Sequence, residues 1–124
     1  MPASTRKATV LVVEDDPELR ALYRTALMLA GYAVIAVADG LDALRRIDDE
    51  RPEAMVLDLG LPFISGQDVQ RELASRTETR DIPIVVVTGS DTGNLDHRDF
   101  ACIFRKPVEP QSLVSAVADC LRRL

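Results

Sequence analysis

Five short apolar runs, each stopped at its carboxyl end by polar or charged residues, constrain the fold of this chain most. The first, Thr9–Val13, reads TVLVV and runs straight into Glu14, Asp15 and Asp16. A run that is apolar on both faces suits a central strand of a parallel sheet covered by helices on both sides. Ala33–Val37, Ala54–Leu57, Ile82–Val87 and Ala101–Phe104 repeat the pattern, the fourth as IPIVVV.

Helical periodicity fills the gaps. Asp16 is placed to cap a helix with Pro17 at its first position. Leu19, Leu22, Tyr23, Ala26, Leu27 and Ala30 then recur along an expected inner face, and Gly31 supplies the stop. Asp39 opens a second helix with Leu41, Leu44 and Ile47 turned inward. Ser65, with Asp68 three residues on, makes a capping box ahead of Val69 and Leu73. A last helix begins near Pro110 and is expected to bury Leu113, Val114, Val117, Ala118 and Leu121.

Strands alternating with helices imply right-handed crossovers in a parallel sheet. One crossover departs from the pattern. Between Thr88 and Phe100 the chain reads GSDTGNLDHRD, with Leu95 its sole bulky aliphatic residue. A crossover with its helix needs at least about ten to twelve residues. With Gly89 and Gly93 and no apolar face, residues 89–99 are expected to form a loop or a single turn.

The bulk properties set limits on function. At 124 residues the chain has the size of one domain, able to bury roughly two thirds of its unfolded surface. Net charge is -5, and the pairs Arg45–Arg46 and Arg122–Arg123 make no basic stripe, which argues against direct nucleic-acid binding. Cys102 and Cys120 show no metal or redox spacing and read as reduced packing residues. No apolar run approaches a membrane span and MPASTRKA lacks the apolar stretch of a secretory signal, so no membrane role and a cytoplasmic location are expected. Residues 1–8 are expected to form a flexible N-terminus ahead of a domain over 9–124.

In a parallel sheet, ligands bind outside the carboxyl ends of the strands. That edge gathers Glu14, Asp15 and Asp16 from the first strand, Asp58 from the third, Thr88 and Gly89 from the fourth, and Arg105, Lys106 and Pro107 from the fifth. Two carboxylates about 4 Å apart repel by roughly 4 kcal/mol at an effective dielectric near 20. Lys106 offers one compensating charge and a hard cation two. Few carboxylates with a backbone carbonyl and waters suit Mg²⁺ better than Ca²⁺, and no His or Cys is placed to favour zinc. An aspartate in such surroundings is a nucleophile toward phosphorus. Gly89 leaves a backbone N–H open to an incoming phosphate, and the Thr88 hydroxyl is placed to follow the attached group.

The segments LVVEDDPELR at 11–20, VLDLGLPFISG at 56–66, PIVVVTG at 83–89 and FRKPVEP at 104–110 resemble, in order, the receiver domain of two-component response regulators, of the chemotaxis-regulator kind. The resemblance implies a flavodoxin-like three-layer sandwich, with a doubly wound five-stranded parallel sheet of order 2-1-3-4-5. Its fourth helix would here be shortened or absent. The resemblance also implies that Asp58 is the phosphoacceptor, with Thr88 and Lys106 beside it in catalysis. Asp15 would be the direct metal ligand, Glu14 would act through water, and Asp58 and the Gly60 carbonyl would complete the set around Mg²⁺ or Mn²⁺. Gly89 would contact the phosphoryl group, and Lys106–Pro107 matches a bond that is cis in the family. The implied donor is a phosphohistidine of a histidine kinase or phosphotransfer protein, and the implied output is a downstream effector protein or domain. The site would catalyse its own phosphorylation and slow dephosphorylation without independent turnover.

Two departures from the family pattern stand out. Where the family carries an aromatic three residues before the lysine, this chain has Ile103, with Phe104 next to it on the opposite face of the strand. The residues between Thr88 and Phe100 are too polar for the usual output helix. Gly60 and Ser90 lack the larger polar groups that would orient attacking water, which predicts a long-lived phosphoryl group. The rival readings are a metal-dependent phosphohydrolase with an aspartate nucleophile and a degenerate receiver acting only as a binding module. Gly60 stands where the first rival would carry a general acid, and intact Glu14, Asp15, Asp58, Thr88 and Lys106 argue against the second. His97 reads as solvated, Tyr23 as packing, and Phe63 as either packing or a partner contact. Oligomeric state stays open, with a monomer the simplest expectation, and so does whether the chain is a piece of a longer regulator.

Overall fold

A computed structural model of the chain describes residues 7–89 and 95–122. The elements run β1 (Thr9–Val13), α1 (Pro17–Leu29), β2 (Ala33–Val37), α2 (Gly40–Glu50), β3 (Ala54–Leu57), α3 (Gly66–Ala74), β4 (Ile84–Thr88), a 3₁₀ turn (His97–Asp99), β5 (Cys102–Arg105) and α4 (Pro110–Arg122). The five strands form one parallel sheet of order β2-β1-β3-β4-β5. This is the doubly wound, flavodoxin-like sandwich expected from the resemblance.

Strand alternation divides the core into two layers. Val10, Val12, Val56, Val85 and Val87 pack with Tyr23, Leu27, Leu113 and Val117 of α1 and α4. Leu11, Val13, Met55, Leu57 and Val86 pack with Ile47, Val69 and Leu73 of α2 and α3. Period-two burial on both faces explains the unbroken apolar runs of β1, β3 and β4. The edge strands β2 and β5 are only partly buried, which fits their weaker sequences AVIAV and CIFR.

Helix ends follow their local chemistry. Asp16 accepts from the backbone of Glu18 and Leu19, with Pro17 at the first helical position. Asp39 caps α2 through Asp42 N–H. Ser65 and Asp68 close a reciprocal capping box on α3, and Gly31 takes φ +104 beyond α1.

Several boundaries and faces differ from expectation. β4 starts at Ile84 rather than Ile82, because Ile82 N–H closes a turn onto Thr79 and Pro83 has no N–H to give. β5 runs from Cys102 to Arg105 rather than from Ala101 to Phe104. Ala101 N–H bonds Ile84 at the very start of the ladder, while Arg105 still pairs with Thr88. On α1, Leu22 and Ala30 face solvent. On α2, Leu41 does too, because Gly40, Ala43 and Ile47 form the buried stripe. The reason is close packing at Gly40, where a Cβ would lie 2.6 Å from Ile64 Cγ1.

Of the crossover between β4 and β5, Ser90–Asn94 fall outside the described residues, as do residues 1–6 of the expected flexible start. The described part holds one 3₁₀ turn, N-capped by Asp96, and no α-helix. Leu95 and the buried Phe100 press onto the α2–α3 side of the sheet instead.

Candidate phosphoryl-acceptor site

The carboxyl ends of β1, β3 and β5 bring Glu14, Asp58 and Lys106 into contact. Lys106 Nζ lies 2.8 Å from Glu14 Oε1 and 3.1 Å from Asp58 Oδ2. Glu14 and Asp58 are almost fully buried, at 1% and 5% exposure. One ammonium therefore bridges two carboxylates that have lost most of their water, which is the arrangement such a cluster needs in order to fold. The other Asp58 oxygen, Oδ1, accepts from Gly60 N–H at 3.0 Å.

The backbone holds each group in place. Glu14 N–H bonds Val37, Asp58 N–H bonds Val13, and Lys106 N–H bonds Thr88, so all three site residues extend the ladder one step past the strands. The Lys106–Pro107 peptide is cis, as expected from the resemblance. Thr88 closes β4 fully buried, and Gly89 beside it is exposed, with open space where a side chain would project.

Burial raises Glu14 from 4.5 to about 7, opposed by hydrogen bonds from Lys106 and the Asp16 amide, and reinforced by the charge of Asp58. Burial by itself would lower Lys106, but hydrogen bonds to Glu14 and Asp58 outweigh it, and the ammonium ends above its ordinary value. Lys106 is thus the fixed cation of the site, and Glu14 is the carboxylate that resists ionising.

Glu14, Asp15 and Asp58 each offer an oxygen within 4.8 Å of the others, two from buried side chains and one from the exposed Asp15. Three hard oxygen donors at this spacing fit a divalent cation. Asp16 lies outside the group and serves α1 as its cap.

Two features were not foreseen. Arg20 Nη1 donates to the carbonyls of Glu14 at 3.0 Å and Asp15 at 3.3 Å, tying α1 to the acidic loop. Its place on the first turns after the acids was the only available signal. Gly66 lets α3 press on the acceptor strand, since a Cβ there would sit 2.6 Å from Asp58 O. Phe63 is 82% exposed at φ +72, with Ile64 N–H bonding Pro62 across it, so the packing alternative is overturned. Ile103 packs toward the α2–α3 layer and Phe104 toward the α1–α4 layer, on opposite faces. His97 is exposed.

A doubly wound sheet whose strand ends hold a buried aspartate, an acid pair and a bridging lysine is an arrangement consistent with a phosphoryl-accepting domain. Residues 10–118 match the response regulator receiver domain family, and the chain belongs to it. The chain is 33% identical over 126 residues to "Probable transcriptional regulator ycf27" of Porphyridium aerugineum, covering 96% of this chain and 50% of that protein. It is 41% identical over 83 residues to response regulator MprA of Mycobacterium ulcerans, covering 67% of this chain and 35% of the relative. It therefore spans half or less of these relatives. A sensor protein from Polaromonas sp. JS666 superposes with a TM-score of 0.88 at 24% identity, covering 95% of this chain and 98% of that one. Among the described residues no helix is long and apolar enough to cross a membrane.

Proposed function

We propose that residues 9–124 act as a receiver domain in which Asp58 accepts a phosphoryl group from a phosphohistidine of a histidine kinase or phosphotransfer protein. An Asp58 carboxylate oxygen attacks phosphorus, the P–N bond breaks, and the imidazole leaves with its electron pair and takes a proton from solvent. The carrying observation is the contact of Lys106 with both Asp58 and Glu14. It supports an ammonium already aimed at the oxygens of the incoming group. The Thr88 hydroxyl and the Gly89 N–H donate to the attached phosphoryl group, Gly89 from the open position it occupies.

Glu14, Asp15, Asp58 and the Gly60 carbonyl would hold Mg²⁺ or Mn²⁺, which when bound neutralises the charge on the phosphoryl oxygens. Hydrolysis of the acyl phosphate resets the domain, so the chemistry is a switch without independent turnover. The lack of a large polar side chain at Gly60 predicts slow resetting; its counterpart Ser90 lies outside the described residues. The output is altered binding to a downstream protein or domain. Ile103 and Phe104, on opposite faces of β5, form the switch region. A cytoplasmic setting and no direct contact with nucleic acid complete the reading.

The test is incubation with Mg²⁺ and acetyl phosphate, followed by intact mass. One phosphoryl adduct is expected on the native protein and none on Asp58→Asn. An undiminished adduct on that variant sinks the assignment.

A further inference from the structure

We infer that Arg20 is a positioning residue for the divalent-cation site, fixing the Glu14–Asp15 backbone so that the Asp15 carboxylate faces Asp58. The inference rests on the functional reading above and deepens it. Glu14 and Asp58 are held directly, through Lys106, Asp16 N–H and Gly60 N–H. Asp15 differs. It is exposed, and among the described residues no hydrogen bond reaches its carboxylate. A short side chain without a partner points where its backbone points, so the peptide planes around Asp15 decide whether its oxygen stays with the other two.

Among the described residues two side chains hold those planes: Glu14 Oε2 accepts from Asp16 N–H at 3.1 Å, and Arg20 takes both carbonyls. Arg20 Nη1 donates to the carbonyl on either side of the Glu14–Asp15 step, from a helix that is itself fixed by the Asp16 cap and by Arg20 N–H bonding Asp16 O at 2.9 Å. The guanidinium, always charged and half-buried here, suits this use because carbonyl oxygens accept more strongly from a cation. It reaches no carboxylate among the described hydrogen bonds, so its contribution runs through the loop backbone.

Two effects of Arg20 on cation binding have opposite signs, which makes the inference testable. A positive charge beside the site repels a divalent cation, so electrostatics alone predicts tighter Mg²⁺ binding when Arg20 is removed. Positioning predicts weaker binding, because Asp15 must then be ordered at the moment the ion binds.

The experiment titrates Mg²⁺ alone into the unphosphorylated protein by calorimetry, with thermal unfolding in EDTA confirming that each variant is folded. Arg20→Met is expected to raise the Mg²⁺ Kd at least threefold. Adduct formation from acetyl phosphate should return to within twofold of native once Mg²⁺ saturates. Unchanged or tighter Mg²⁺ binding overturns the inference, and Arg20→Gln decides it in the same way should the Met variant not fold. Asp15→Asn is the control. If the native protein binds Mg²⁺ and Asp15→Asn does not, a native-like Arg20→Met removes only the positioning role. If the native protein binds no Mg²⁺, both the site reading and this inference fall.

Discussion

The strand-end cluster and the described part of the β4–β5 crossover flank one sheet and are built in opposite ways. In the cluster, the ion pairs join segments far apart in sequence: Lys106 reaches Asp58 across 48 residues and reaches Glu14 on another strand. In the described part of the crossover, polar contacts are local. Asp96 caps its own turn and pairs with Arg98 two residues on, and only Leu95 and Phe100 touch the core. Long-range contacts make the acceptor site a consequence of the whole fold. Local ones leave the crossover free to vary in length without disturbing the chemistry, which is how a chain with no α-helix in the described part of this crossover keeps an intact acceptor cluster.

The largest expected effect tests that contrast directly. Lys106→Met leaves Glu14 and Asp58 facing each other with no cation. Breaking a buried ion pair from one side costs about 3–5 kcal/mol, and partial exposure of Lys106 puts the expected loss at the lower end. Denaturant unfolding at pH 8 in EDTA measures it, and added Mg²⁺ should restore part of the loss by supplying the missing charge. Arg98→Met in the crossover removes an exposed partner of Asp96 and should leave the unfolding midpoint unchanged. Equal losses in the two variants would erase the distinction.

A pH series gives the next effect. Glu14 is raised from 4.5 to about 7 by burial. Below pH 4.5 it is protonated in both folded and unfolded chains and contributes nothing. Between 4.5 and about 7 the unfolded chain releases the proton first, so metal-free stability falls as pH rises and the loss is complete above 7. Glu14→Gln should flatten the slope in this window. Mg²⁺ affinity should move the other way, rising with pH as the proton stops competing, whereas chemical shifts of the crossover amides at 95–99 should not follow the same titration.

Much of this was legible in the chain itself. β1, β2 and β3 fell where their apolar runs predicted; β1 and β3 are covered on both faces and have no polar position to blur their limits. Capping residues placed the starts of α1, α2 and α3 for the same local reason. The misplaced features are those set by a neighbour. Leu41 looked like an inner residue of α2, but the approach of Ile64 and Val69 to Gly40 decides which stripe faces the sheet. In the site, identities were readable as strand-end residues, while the bridging position of Lys106 and the grip of Arg20 on two carbonyls depend on distances that spacing does not carry. Phe63 could not be placed because its exposure follows from its backbone conformation.

That residue supplies the smallest effect and the last point of contrast, since the acceptor end stores local strain as well as charge. Phe63 sits at φ +72 with Ile64 N–H bonded to Pro62 O at 2.9 Å, a tight turn around a residue with a Cβ. A left-handed conformation costs an ordinary L-residue roughly 1–2 kcal/mol, and at 82% exposure the ring recovers little by burial. Phe63→Gly removes the steric cost but gives the unfolded chain more freedom, which offsets about 0.5–1 kcal/mol of the gain. The net expectation is a stabilisation of about 0.5–1 kcal/mol by denaturant unfolding, with Asp58 phosphorylation by acetyl phosphate within twofold of native. Phe63→Ala separates the causes, since it keeps the Cβ and loses only the ring, and it should leave stability nearly unchanged. A destabilised Gly variant would mean that the ring holds the loop after Asp58 in place, and the strain would then belong to the architecture of the site.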